Sequence, residues 1–552
     1  MKANQISLRT ALALTAISIV GAGYAQFDGP APLAWRWAQA TSVSPTGSPV
    51  VSGDTVYVAI GQRMYALEKA TGNQKWRYPI GEPLPANFRN GCILAEGTLM
   101  GAADNKTIYA ADAFSGQPRW QYASTQPIVG SPVAVGKFVV FTLSDNSLMA
   151  LNIADGSPAW KESLRIFDGV MGSLNSYLGN VIVISNSFKM YSIDVATRKT
   201  NWEQTFSTLT PNATATVFGD SFYINSGDFL ICMNAGTGRS KWQCNIGEPL
   251  AYNPAVSTDG IIVTTRDGQV FTVDSGGRRT LKQPIELDSS PVTSLSVVDK
   301  LAAICTSNGA MNLLNMKTGQ TVWSFTVRPM TAYLAQPEGG DAGGGGGLAG
   351  AGRGGGGASG AGVGGSSSGG GGTSGAGQPA TTINAAGPPV LAGETLLLAA
   401  RDGSVLAFDK TEGVDLTAPK TRLVFPNAGD QINGNPPLAF TFRITDDATG
   451  LKPTSVKVDI DGKDYNYNLT RDGILTVDIG PDYKNAALAN GRRSITVTAS
   501  DWIGNTSKTT FLVVVDNQLP PTGRGGAPKK SNNSGGGGSG GPGLGGGRGG
   551  GR

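Results

Sequence analysis

The chain contains no histidine among its 552 residues. Histidine is the usual general base of serine and cysteine hydrolases and the commonest protein ligand of zinc and copper, so its absence argues against those enzymes and metal sites. Long apolar runs are also missing, and the run near the N-terminus is too short to span a bilayer. The sequence therefore predicts no transmembrane segment, no catalytic residue and no metal site.

Cysteine is scarce, and its spacing is not that of a metal or redox motif. The four cysteines form no Cys-x-x-Cys pair and no adjacent pair. Cys232 and Cys244 stand twelve residues apart on successive predicted strands. A cross-strand disulfide between them is one interpretation, and two buried thiols are the other. For Cys92 and Cys305 we expect buried free thiols.

Net charge is small, and its sign comes from the two ends of the chain. The formal charge is +4, but two basic residues lie in the leader and five, with no acid, lie in the tail after Pro521. The body between them is slightly acidic, which argues against a nucleic-acid-binding core. We expect the Gly-rich tail to be solvated or to contact an anionic cell surface, with RNA binding as the weaker alternative.

The sequence does contain a motif that recurs through residues 33–416. In six copies, alternating apolar and aromatic residues lead to an acidic or amide residue, and a Trp follows eight residues later. A seventh copy has Leu281 in place of the Trp, and an eighth, Val405–Asp409, has no closing Trp. Repeats of about 40 residues with four short strands each are typical of a β-propeller.

The repeated motif, Y-A-L-D-x-x-T-G-x-x-x-W, resembles the blade motif of pyrroloquinoline-quinone-type (PQQ-like) propellers. Two kinds of protein share this motif: quinoprotein alcohol and glucose dehydrogenases, and non-enzymatic propellers such as the lipoprotein of the outer-membrane β-barrel assembly machinery. The resemblance implies an all-β, eight-bladed propeller with four-stranded blades. For a dehydrogenase it also implies a quinone and calcium at the axis, an Asp base and commonly a disulfide between adjacent cysteines. We can place none of these here, and we therefore predict no cofactor.

The Trp residues of the repeat are predicted to close the blades rather than to stack on a ligand, because each offers a large apolar face and one N–H. Residues 33–39 carry such a strand without the three strands before it, and the eighth repeat lacks that strand. We therefore expect this N-terminal strand to complete blade eight, with Trp35 or Trp37 in the empty slot, so that no strand edge stays exposed. The predicted blade-closing residues are Trp35, Trp37, Trp76, Trp120, Trp160, Trp202, Trp242 and Trp323.

Two segments within residues 1–416 differ from the repeat. Residues 1–25 read as a secretory signal peptide that ends in a small-x-small site before Gln26. No Cys follows that site, so we predict no lipid anchor. The propeller is assigned to residues 26–416, interrupted at 339–377 by an insertion with 23 glycines that we expect to be disordered.

From residue 417 the repeat stops, and shorter alternating strands separated by Asp-Gly and Asn-Gly turns follow. This pattern is typical of a β-sandwich, which we assign to residues 417–517, with the basic Gly-rich tail at 518–552. The run 488–505 resembles bacterial immunoglobulin-like and fibronectin-III-like modules. Scattered acids leave calcium as a weaker interpretation of this domain: Asp446, Asp447, Asp461, Asp464 and Asp501.

The predicted function is that of an exported, non-catalytic propeller scaffold that binds proteins of the cell envelope, with the sandwich as a second contact unit. A role in outer-membrane protein assembly is suggested by family analogy alone. The alternatives are a PQQ-dependent quinoprotein dehydrogenase and a cell-surface polysaccharide-binding protein. We expect a monomer that is periplasmic, cell-surface or secreted and that binds no nucleic acid.

Overall fold

The computed structural model describes residues 27–329 and 382–524, apart from residues 428, 481 and 483. The predicted signal peptide, the Gly-rich insertion and the tail from residue 525 onward lie outside the described residues. The described part is built of strands, with a 3₁₀ turn at Pro453–Ser455. No helix in it has the length and apolar character that a membrane span requires.

Eight four-stranded antiparallel sheets form the blades of a propeller. The first strand of the chain, β1 (Leu33–Ala38), does not belong to blade one. The strands of blades one to four are β2 (Val50–Ser52), β3 (Thr55–Ile60), β4 (Arg63–Glu68) and β5 (Gln74–Tyr78); β6 (Ile93–Ala95), β7 (Thr98–Ala102), β8 (Thr107–Asp112) and β9 (Pro118–Ala123); β10 (Ile128–Val135), β11 (Phe138–Leu143), β12 (Ser147–Asn152) and β13 (Leu164–Arg165); and β14 (Val170–Tyr177), β15 (Asn180–Ser185), β16 (Lys189–Asp194) and β17 (Thr200–Thr205).

Blades five to eight follow in the same order. Their strands are β18 (Thr216–Phe218), β19 (Ser221–Ser226), β20 (Phe229–Asn234) and β21 (Ser240–Asn245); β22 (Leu250–Ser257), β23 (Gly260–Thr265), β24 (Gln269–Val273) and β25 (Ile285–Glu286); β26 (Ser296–Val298), β27 (Leu301–Cys305), β28 (Ala310–Asn315) and β29 (Thr321–Thr326); and β30 (Val390–Ala392), β31 (Thr395–Ala399) and β32 (Ser404–Asp409).

The middle strands of each blade form the core because neighbouring blades cover both of their faces. All six residues of β3 are buried, whereas the outer strand β5 is buried only at Tyr78. This explains why the middle strands read as near-continuous apolar runs, while the outer strands carry polar residues around their Trp.

The ring closes through β1, which pairs antiparallel with β32 and completes blade eight in the order β1-β32-β31-β30. Trp35 lies opposite Ala407, and Trp37 lies opposite Val405. Side chains of blade eight, such as Leu397, then share one apolar cluster with Val56 and Tyr65 of blade one. The predicted eight-bladed propeller with an N-terminal closing strand is confirmed.

The rest of the described chain folds into two further sheets. One has the order β33 (Lys420–Phe425), β35 (Leu438–Thr445), β39 (Ile474–Ile479) and β38 (Asn468–Leu469); the other has the order β34 (Gln431–Ile432), β41 (Thr506–Val515), β40 (Gly491–Ser500), β36 (Lys457–Ile460) and β37 (Lys463–Asp464).

These two sheets share one core, in which Phe440 and Phe442 of the first meet Val497 and Val513 of the second. Two sheets around a common apolar layer make a β-sandwich. Its assignment to the immunoglobulin-like class stays a prediction, as do the domain boundaries. The proposed boundary between residues 416 and 417 falls in the stretch 413–419, which has no assigned strand or turn.

Candidate functional site

Most of the predicted blade-closing Trp residues bind the neighbouring blade through the indole N–H. In each case Nε1–H donates to the main-chain carbonyl oxygen of the residue that follows the acidic or amide residue of the next copy. We call each such pair a latch. The latches join Trp35 to Lys69 (2.8 Å), Trp76 to Ala113 (3.1 Å), Trp120 to Ile153 (2.8 Å), Trp160 to Val195 (2.7 Å), Trp202 to Ala235 (3.2 Å) and Trp242 to Ser275 (2.9 Å).

The Gly of the repeated turn is required by the latch as well as by the turn. Gly116 has φ +71°, and a Cβ placed on it would lie 2.6 Å from a ring carbon of Trp76. The same holds for Gly72 beneath Trp35 and for Gly238 beneath Trp202. A side chain at this position would therefore displace the indole, so turn and Trp constrain one another across the blade boundary.

Two blades vary this arrangement. In blade four Arg198 stands where other copies have Gly, at φ 62°, and its guanidinium lies 5.4 Å above the ring of Trp160. In blade six Leu281 replaces the Trp and approaches Gly319. Arg198 supplies a cation–π contact, whereas Leu281 supplies apolar contact without an indole donor.

At the N-terminal strand the structure places Trp35, and not Trp37, in the latch. Trp37 packs instead on Tyr65, with ring centroids 4.8 Å apart and an edge-on geometry. The two residues are two positions apart on β1 and share a face, so the sequence pattern alone left both open.

Trp323 departs from the rule, because its indole N–H donates to Thr449 O in the sandwich, at 2.9 Å. It is fully buried among Phe27, Phe325 and Phe408. The sandwich thus occupies the place that the turn of blade eight would take in the series of latches. Sequence reasoning placed Trp323 but missed Thr449, since no motif marks that residue.

The four cysteines are buried free thiols, so the cross-strand disulfide considered for Cys232 and Cys244 is not formed in this structure. Cys232 lies opposite Trp242 and Cys244 lies opposite Leu230, which makes the two cysteines diagonal neighbours on β20 and β21. Diagonal positions are about 7–8 Å apart, beyond the usual reach of a disulfide. Burial raises the pKa of both thiols above the ordinary value.

The junction between propeller and sandwich is polar as well as apolar. Arg328, which follows β29, forms an ion pair with Asp447 at 3.0 Å, and Thr326 Oγ1 donates to Arg471 O at 2.9 Å. Leu33 N–H of the closing strand donates to Ala448 O at 3.0 Å. A cleft of about 240 Å³ lies along this junction; Ser324, Thr326, Arg328, Asp446 and Arg471 are among its lining residues.

Three carboxyl groups at this junction lie close together. Oxygens of Asp415, Asp446 and Asp501 all fall within 4.8 Å of one another. Burial raises the pKa of Asp446 to about 6, helped by the charges of its two neighbours. Of the acids considered for calcium, the structure brings together Asp446 and Asp501 and adds Asp415, while Asp447 pairs with Arg328 and Asp461 with Arg493.

These carboxylates already serve as acceptors for main-chain donors. Asp501 Oδ1 accepts from the N–H groups of residues 503, 504 and 505, and Asp415 accepts from Thr417 and Thr449. Hydrogen bonds from Thr449 and Thr417 outweigh burial at Asp415 and lower its pKa. Carboxylate oxygens are ligands that suit a hard cation. The arrangement also holds three chain segments of the junction together by itself.

Exposed apolar side chains occur on the loops of the ring. Ile80 follows β5, Phe167 follows β13 and Val129 begins β10, so all three lie on the face where successive blades connect, which we call the connection face. Phe114 and Leu178 lie in turns on the opposite face. Phe167 is 84% exposed, and such side chains are the usual anchors of protein contacts.

Comparisons with known proteins agree with the fold. Residues 84–222 and 190–333 match the family described as outer membrane protein assembly factor BamB. A curated relative, the outer membrane protein assembly factor BamB of Moranella endobia (strain PCIT), is 27% identical over 258 residues, which make up 44% of this chain and 64% of the relative. The match thus spans less than two thirds of the relative's length.

Solved structures are similar as well. The crystal structure of BamB from Moraxella catarrhalis matches with a TM-score of 0.50 and 12% identity, over 68% of this chain and 99% of that one. A europium-containing methanol dehydrogenase matches with a TM-score of 0.42 and 14% identity, over 54% of this chain and 80% of that one. The first match supports the propeller fold, and the second is too distant to carry an argument.

Proposed function

We propose that this protein, whose PQQ-like propeller resembles that of the assembly factor BamB, is a non-catalytic scaffold that binds other proteins in the bacterial cell envelope. The observation that carries the proposal is the similarity of residues 84–333 to that assembly factor, in sequence as well as in fold. The finer proposal is that the scaffold acts in the assembly of outer-membrane proteins. It is exported through residues 1–25 and acts as a monomer.

The connection face is proposed as the binding surface of the propeller. Ile80, Val129 and Phe167 are 58%, 51% and 84% exposed there, and they lie in or beside neighbouring blades two, three and four. Single exposed apolar residues are ordinary on protein surfaces, but several on one rim of a rigid ring suit a protein partner. The sandwich adds a second surface, held at a defined position by Thr449 and Asp447.

The quinoprotein dehydrogenase and polysaccharide-binding alternatives are not proposed. Both sequence matches are to an outer membrane protein assembly factor.

The test is affinity capture of the full-length protein, after chemical cross-linking, from an envelope fraction of the native host. We expect outer-membrane β-barrel proteins or their assembly factors among the captured proteins. Replacing Ile80 and Phe167 by Ser should reduce the recovery of these captured proteins about tenfold, because a tenfold change corresponds to the binding free energy of one good apolar contact. The matched control replaces Phe114 and Leu178 by Ser on the opposite face, and recovery should be unchanged.

Two results would contradict the proposal. Capture of no envelope protein above a tag-only control would remove the scaffold function. Equal recovery by both double variants would leave a scaffold but remove the connection face as its binding surface.

A further inference from the structure

The sandwich has one long edge strand whose outer side lacks a partner. All ten residues of β41 pair with β40. On the other side, β34 pairs only with Val514 and Val515. Within the described residues, no main-chain N–H or C=O between Thr506 and Val513 has a partner on that side. We call this stretch, residues 506–513, the open edge.

The long strands at the ends of the other sheets are interrupted, and β41 is not. In the described part of the chain, every strand at the end of a sheet that is longer than three residues shows a register shift where it pairs with its neighbour. Such bulges prevent an edge from pairing with another chain. The strands that show them are β1, β5, β9, β10, β14, β17, β21, β22, β29 and β33.

Residues that protect a strand edge from pairing, namely Pro and charged residues, are also few on β41. The strand contains no Pro, and Lys508 is its one charged residue. The neighbouring edge β33 carries Lys420 and Arg422 within six residues, in addition to its register shift. The end strands of the propeller blades are short or carry such shifts, so the contrast lies within one chain.

The hairpin that precedes β41 shows which of its groups point outward. Asp501 N–H donates to Asn505 O, so these two residues form a hydrogen-bonded pair. Hydrogen-bonded and non-bonded pairs alternate along an antiparallel ladder. The alternation directs the N–H and C=O groups of Lys508, Thr510 and Leu512 away from β40. They form a regular row of donors and acceptors spaced two residues apart.

Apolar side chains stand beside this row. Leu512 is 70% exposed and Val514 is 39% exposed, both on the outer face of the sheet. β33 contacts β41, and the charged residues of these two strands are all basic: Lys420, Arg422 and Lys508. An occupant that fits must offer main-chain hydrogen bonds, an apolar side chain near Leu512 and an acidic group.

We propose that the open edge binds an extended polypeptide segment of a partner protein, which adds to the sheet as a further strand beside β41. The segment alternates apolar and polar residues and carries at least one acid. The proposal rests on the proposed scaffold function, which requires protein partners, and it gives the sandwich a binding role of its own. Strand addition of this kind draws affinity from main-chain hydrogen bonds and selectivity from alternate side chains.

The test uses the full chain and a fluorescein-labelled peptide of about eight residues, the length of the open edge, that alternates Val and Thr and ends in Glu. Fluorescence anisotropy should show saturable binding. Two further peptides of the same sequence, each N-methylated at alternate residues along one of its two edges, should differ, and the one whose pairing edge is methylated should not bind. Removing donors from only one edge separates main-chain pairing from simple apolar adhesion.

Variants at Thr510 provide the matched pair. Thr510→Pro removes the outward N–H and should weaken binding about tenfold or more. One of the few main-chain hydrogen bonds is lost, and the pyrrolidine ring of Pro crowds the incoming strand. Thr510→Val keeps the N–H and should bind as the wild type does. Both variants lose the hydroxyl contact to Thr496. Leu512→Lys is a second blocking variant with an intact backbone, and circular dichroism checks that each variant folds.

Each outcome decides the proposal. Peptide binding that Thr510→Pro and Leu512→Lys both weaken, and Thr510→Val does not, supports it. No binding to the wild type, or equal binding of the two N-methylated peptides, overturns it. A wild-type dimer in sedimentation analysis that Thr510→Pro converts to monomer also overturns it, since the occupant would then be a second copy. Envelope proteins captured equally by wild type and Thr510→Pro would leave the scaffold function standing without this edge.

Discussion

The propeller and the sandwich solve the same problem of sheet edges in different ways. In the propeller six of the eight blades make the same contact with the next blade, an indole N–H on a turn carbonyl, and the first strand of the chain returns to close blade eight. In the sandwich no contact repeats, and strands far apart in the chain pair, as β34 does with β41. Repetition gives a ring whose blade edges are short or interrupted, whereas the sandwich retains one uninterrupted edge that can serve binding.

The largest expected effect tests the closure itself. Deleting residues 27–40 removes β1 and the latch of Trp35, and it leaves β32 as an unpaired strand at the rim. We expect aggregation and loss of a cooperative thermal transition, measured by light scattering after size exclusion and by calorimetry. The control chain begins at Phe27. A monomeric deletion variant with an unchanged thermal midpoint would show that the ring does not depend on β1.

A smaller effect separates the latch from ordinary packing. Trp35→Ala should lower the free energy of unfolding by roughly 3–5 kcal/mol, as for other buried Trp truncations. Trp37→Ala should cost less, about 1–2 kcal/mol, because this ring is only partly buried and makes no latch. Urea unfolding of the two variants measures both. Equal costs would mean that the indole N–H and the turn Gly beneath Trp35 contribute little.

The smallest effect compares a turn Gly of the propeller with one of the sandwich. Gly116 and Gly462 have φ of +71° and +81°, but an added Cβ meets Trp76 at the first and nothing within 4 Å at the second. Gly462→Ala should cost about 1 kcal/mol for the backbone alone. Gly116→Ala should cost a further 1–3 kcal/mol, roughly, for the displaced indole. A Gly116 variant no less stable than the Gly462 variant would contradict the role of Gly in the latch.

Much of the fold was predictable because its signals are local and repeated. The six Trp residues at constant spacing indicated four-stranded blades, and the missing strand of the eighth copy indicated closure by residues 33–39. Alternation within the sandwich predicted strands at β35, β36, β39, β40 and β41, although β40 and β41 begin three and four residues before the alternating runs 494–499 and 510–515. These predictions depend on side-chain period and turn chemistry, which neighbouring residues determine.

The misses are of another kind. β33 and β34 were not predicted, because the first is short with two basic residues and the second has two residues. Asp415 was not among the acids considered, since it lies in the linker and joins Asp446 and Asp501 only through folding. The disulfide considered for Cys232 and Cys244 depended on the register of β20 and β21, and in the register that forms the two residues are diagonal neighbours.

The sequence by itself determined the propeller, the number of its blades and the presence of a second all-β unit, because those features follow from patterns that recur every few residues. Only the tertiary structure decided between Trp35 and Trp37, directed Trp323 to Thr449 across 126 residues, and left β41 open from Thr506 to Val513. Each of these depends on which distant segments meet. The sequence carries no local signal of such contacts, because every residue offers the same main-chain carbonyl and nearly every residue the same N–H.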